Sequence, residues 1–124
     1  MHKLNITDYY KTDNIIVDNN IKKIIEINNN LIDYINIGAC KIEVSDIIFS
    51  LIFFAEKNLK NKEEILKRNN ELIPEIKQHH KNYVDKVLKY KNLFTSGKKD
   101  ICVEMCKFLI TWVNTENQIN KCLY

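Results

Sequence analysis

Gly38, Gly97 and Pro74 are the only glycines and the only proline in 124 residues. A chain so poor in turn formers lacks the frequent tight reversals that a β-sandwich or barrel needs. It is suited to long uninterrupted helices, and these three residues fall where helices start and stop. Between them, apolar residues recur at the 3.6-residue period of amphipathic helices. The first helix is expected over about 20–35, with Ile21, Ile24, Ile25, Asn28, Leu31, Ile32 and Ile35 on one face. Asp18 or Asn19 is its expected N-cap, and Gly38 follows its end. The second runs from about Glu43 to Lys67, with Val44, Ile48, Ile52, Ala55, Glu56 and Leu59 along one side. Pro74 opens the third, which carries Ile76, His80, Tyr83, Val84, Val87 and Tyr90 on to Phe94 and is closed by Thr95-Ser96-Gly97. Asp100 is the expected cap of the fourth, striped by Met105, Phe108, Leu109 and Trp112.

Four such helices with short connections predict an all-α, antiparallel up-down-up-down four-helix bundle over residues 19–124. Residues 1–18 are too polar for a fifth core helix. They read as an N-terminal arm anchored by Ile6, Tyr9, Tyr10 and Ile15, with His2 loose within it. The 19 basic and 16 acidic residues nearly cancel, and acids interrupt every cationic stretch, so no nucleic-acid partner is expected. The longest apolar run, Ile47 to Ala55 broken by Ser50, falls far below the roughly 20 residues that span a bilayer. Met1-His2-Lys3-Leu4-Asn5 is unlike a secretory leader. The expectation is a cytoplasmic chain with no membrane partner and reduced thiols. Cys40, Cys102, Cys106 and Cys122 lack zinc-ribbon spacing, and Cys102 and Cys106 read as small buried hydrophobes. No Ser/His/Asp arrangement or phosphate loop is present, so the chain is not expected to be an enzyme.

The stretch from Pro74 through Gln78-His79-His80-Lys81-Asn82-Tyr83-Val84-Asp85-Lys86-Val87 resembles the third helix of the hemerythrins, especially the bacterial ones. Ser96-Gly97, Phe108-Leu109 and Trp112-Val113 keep that family's rhythm. Asp18 to Ile25 is similar to its first-helix motif, and Ile52-Phe53-Phe54-Ala55-Glu56 to its second. The resemblance implies a bundle that would hold two oxo-bridged irons and bind dioxygen. The family's ligands are a His on the first helix, His-x3-Glu on the second, His-x3-His on the third and His-x4-Asp on the fourth. Residues four apart share a helix face, which is why the ligands pair at that spacing. On this alignment the ligand positions hold Ile21; Ile52 and Glu56; Ile76 and His80; and Glu116 and Lys121. Only Glu56 and His80 match, with Glu116 as a substitute. Three isoleucines at ligand positions imply a site filled with apolar bulk, each worth roughly 1.5–3 kcal/mol when buried. Lys121 is expected to turn outward or to pair with Glu116 or Glu56.

Glu56 and His80 are then expected to face the bundle axis as a hydrogen-bonded pair, or else to hold one metal with Glu116. His79 is expected to face solvent, Trp112 the core, and Lys57 to Glu64 to form a solvated helix end. Ile47, Leu51 and Phe54 make a second apolar stripe, covered by neighbouring helices or offered to a partner or second copy. The sequence thus reads as a degenerate hemerythrin-like chain, a metal-free interaction or regulatory module with no favoured cofactor. The alternative keeps iron or another divalent metal on Glu56, His80 and Glu116.

Overall fold

A computed structural model describes residues 1–98 and 100–124. Among the described residues the fold is all-helical, without a strand. After a short 3-10 turn at Ile6–Asp8 come α1 (Ile15–Asn36), α2 (Cys40–Phe54), α3 (Lys60–Arg68), α4 (Pro74–Thr95) and α5 (Cys102–Leu123). A π-helical turn, Ala55–Leu59, joins α2 to α3 in one long rod, the second helix of the sequence reading. The rods α1 and α4 each touch both α2 and α5, so four rods close a ring around one core. No helix among the described residues is long and apolar enough to cross a membrane.

The ends of the helices depart from expectation for local reasons. Asn14, not Asp18 or Asn19, caps α1, its Oδ1 accepting from the Ile16 and Val17 amides at 2.9 and 3.3 Å. Asp18 is drawn instead to Thr12, accepting from its amide and hydroxyl at 2.8 Å each. Asp100 does not cap α5: Ile101 takes that position with no side-chain cap, and its full burial fixes the start. Gly38 and Gly97 both adopt positive φ, 72° and 97°, the left-handed turn that ends a helix at little cost only for glycine. In the arm, Ile6 and Ile15 are exposed and anchor nothing. Tyr9, as expected, packs against the core together with Leu4, and the Tyr10 hydroxyl donates to the Tyr124 carbonyl. Polar bonds add to this: Asn29 clasps the Leu4 amide and carbonyl at 2.7 and 2.9 Å, and the Tyr10 amide donates to Asn117 Oδ1 at 2.8 Å.

The π-turn resets the register of the second rod. Along α2 the buried residues Val44, Ile47, Ile48, Leu51 and Phe54 follow α-helical spacing. An unbroken α-helix would continue that face through Asn58, Asn61 and Ile65. The wide turn holds one extra residue, and the buried positions become Leu59, Lys62 and Leu66. Two side chains from other helices brace the detour. Asn20 Nδ2 of α1 donates to the Asn58 carbonyl at 2.8 Å, and the Tyr83 hydroxyl of α4 donates to the Leu51 carbonyl at 2.7 Å. Of the two readings of the stripe Ile47, Leu51 and Phe54, cover by neighbouring helices holds: all three are core, and none is offered to a partner. Phe54 meets Tyr83 and Trp112 edge-on there.

The thiols are not all reduced. Cys40, at the start of α2, is bonded to Cys102, at the start of α5, with their Cα atoms 6.4 Å apart. Cys106 is buried and free, and Cys122 is exposed. Closing a loop of 62 residues removes unfolded-chain entropy worth about 4 kcal/mol. In denaturant without reductant the oxidised chain is expected to show two titratable thiols, and four after reduction. The reduced form is expected to lose up to that stability in urea unfolding.

Candidate functional site

Three helices converge on one buried carboxylate. Glu116 of α5, 3% exposed, accepts at Oε1 from Lys62 Nζ of α3 at 2.9 Å. The Lys62 ammonium, itself 1% exposed, also donates to Asn120 Oδ1, one turn further along α5. His80 Nε2 of α4 lies 3.4 Å from the same Glu116 Oε1, within hydrogen-bond reach, and 3.3 Å from Oε2, which has no hydrogen-bond partner. Its second ring nitrogen, Nδ1, lies 3.1 Å from Glu63 Oε1, and Glu63 is partly open to solvent. His80 and Glu63 also line a surface crevice of about 250 Å³, together with Lys60, Lys77, Lys81 and Val84. His79 stacks flat on Trp112 at 4.6 Å, and its Nε2 reaches 3.8 Å from Glu116 Oε2. The Trp112 indole N–H donates to the His79 carbonyl at 3.0 Å, which locks the stack.

The charges explain why this cluster is tolerated. Taking a single ionised carboxylate out of water costs several kcal/mol. Burial pushes the Glu116 carboxyl up, but the His80 hydrogen bond and the charges of Lys62, His80 and His79 outweigh it and hold it down at about 2. Burial pushes the His79 imidazole below its ordinary range, against the pull of Glu116. The carboxylate is therefore ionised and neutralised from inside. Among the described residues no three His, Cys, Asp or Glu side chains converge as a metal would require.

The residues singled out in the sequence are dispersed. His80 and Glu116 do meet. Glu56 is exposed on the π-turn, so His80 takes Glu63 and Glu116 in its place. Ile21 is buried in the main core, Ile52 is half-buried against it, and Ile76 is buried outside that cluster. Lys121 is exposed. His79 does not face solvent, because Trp112 offers its ring a flat apolar surface. The stretch Lys57 to Glu64 is not wholly solvated, since Lys62 turns inward. One signal for Lys62 was present: Leu59 and Leu66 flank it at the spacing of one helix face. For His79 and Glu63 no such signal exists.

Comparison with protein-family models, with curated proteins and with solved structures finds no match for this chain. Its chemistry rests on the cluster itself.

Lys62→Met and Glu116→Gln each strand a buried polar or charged partner. Each is expected to cost roughly 3–5 kcal/mol in urea unfolding, with the double variant recovering most of the loss. The pH dependence follows from both depressed groups. Each binds its proton more weakly folded than unfolded, so the stability it confers is present above its unfolded value and is lost on acidification. Unfolding midpoints are expected to decline below pH 6.5 through His79, then more steeply from pH 4.5 towards about 2 through Glu116. His79→Gln is expected to remove the upper part of that decline and leave the lower part.

Proposed function

We propose that this chain is a metal-free bundle with the up-down-up-down topology of the hemerythrins, acting as an interaction or regulatory module and not as an oxygen carrier or enzyme. The observation that carries this reading is the seat of Lys62, with its ammonium 2.9 Å from Glu116 Oε1 inside the protein. That ammonium supplies the positive charge that a metal supplies elsewhere, and a dication on the same carboxylate would be driven against it at short range. The donor set also does not fit a pair of irons. Ile21, Ile52 and Ile76 offer no lone pair, and Glu56 and Lys121 point to the surface. The single-metal alternative on Glu56, His80 and Glu116 loses Glu56 for the same reason.

A protein whose centre is closed acts through its surface. On α2, Ile42, Phe49 and Phe53 are 79%, 67% and 55% exposed, a face that supports a protein partner. The Cys40–Cys102 bridge favours an oxidising compartment over the cytoplasm.

Elemental analysis of protein expressed with iron supplied tests the reading. The expected result is far less than one metal per chain and no oxo-bridged charge-transfer band. Two irons with an oxygen-sensitive spectrum would overturn it. One tightly held metal, lost in His80→Ala, would favour the single-ion alternative.

A further inference from the structure

We infer that the partner of the exposed α2 face is a second copy of this chain, docked antiparallel about a two-fold axis. The inference rests on the interaction-module reading and gives that module its partner. Ile42, Phe49 and Phe53 lie seven and eleven residues along from the first, so they share one side of α2. Two phenyl rings more than half exposed on one face are what interaction surfaces present.

Asp46 and Lys57 put opposite charges at the two ends of the stripe, with Glu56 exposed beside Lys57. Asp46, exposed, stands between Ile42 and Phe49. At the other end Lys57, also exposed, holds its ammonium 6.0 Å from the centre of the Phe53 ring. An acid at one end and a base at the other make the face self-complementary only in the antiparallel sense. A parallel copy sets Asp46 against Asp46 and Lys57 against Lys57. A two-fold axis crossing the rod between Leu51 and Ile52 sets Asp46 of each copy against Lys57 of the other, twice. The same axis brings Phe49 of each copy within about one residue of register with Phe53 of the other. Two ring pairs, which favour offset or edge-on packing, then sit between two ion pairs. Ser50, exposed near the axis, is small enough for the two helices to approach closely. The stripe thus has an apolar centre and a charged rim, as specific interfaces do.

Sedimentation equilibrium of the full oxidised chain tests this. The wild type is expected to dimerise reversibly at about 50 μM, a modest affinity for so small a patch. Phe49→Asp and Phe53→Asp are each expected to weaken the dimer at least about tenfold, with an unchanged far-UV circular dichroism spectrum. Asp46→Lys and Lys57→Asp each set like charges opposite and are each expected to weaken it about tenfold. Mixing those two variants is expected to restore association, because the mixed pair has opposite charges at both ends. A wild type that stays monomeric at about 1 mM overturns the proposal, as does a dimer indifferent to Phe49→Asp and to the charge variants. Either failure leaves the metal-free reading standing, because metal content decides that separately.

Discussion

One extra residue of chain in the second rod decides what faces the centre of this protein. The π-turn at Ala55–Leu59 moves every later buried position by one, from Asn61 to Lys62 and from Ile65 to Leu66. An ammonium thereby enters the core beside Glu116, and the carboxylate stays ionised where burial alone would neutralise it. His80 and His79 then arrange themselves around a fixed negative charge. Asn20 from α1 and Tyr83 from α4 each donate to a carbonyl in or beside the wide turn. The irregularity is thus tied into three rods, and no single helix explains it.

An internal ion pair of this kind serves specificity more readily than stability. Two buried charges recover their desolvation only when geometry and further hydrogen bonds are good, and an apolar replacement of both is often as stable. What the pair excludes is a competing arrangement. Lys62 and His80 both bond Glu116 Oε1, and the unbonded Oε2 is faced by the His80 and His79 rings at 3.3 and 3.8 Å, so the carboxylate is enclosed by groups of its own chain. The buried polar centre is therefore a structural unit, and the surface open to a partner is the exposed apolar face of α2.

Polar groups elsewhere in the core follow less tidy rules. Asn28 is fully buried on α1, and neither of its side-chain polar atoms has a hydrogen-bond partner. The ends of the molecule, by contrast, are secured economically. The disulfide ties α2 to α5 at one end. Asn29 and Asn117 bind the arm through its backbone, beside Tyr9, which packs on the core as one of the anchors the sequence offered.

The amino-acid order alone determined the helical class and most of the boundaries. Few turn formers and a 3.6-residue apolar period leave no other regular structure, and Gly38, Pro74 and Gly97 act through backbone geometry that is local to each. It also placed His80 and Trp112 inward, since each lies on a regular face, while Glu116 was singled out only by what the hemerythrin resemblance implies. Tertiary structure decided the rest. Lys62 entered the core because periodicity assumes a constant turn, and a π-turn breaks that assumption at a point chosen by contacts with α1 and α4. Glu56, two residues past buried Phe54, lies off the face that α2 buries. His79 became half-buried because Trp112, 33 residues away, supplied a ring to stack on. Cys40 found Cys102 for the same reason: the distance that matters to a side chain is measured in space, and only packing sets it.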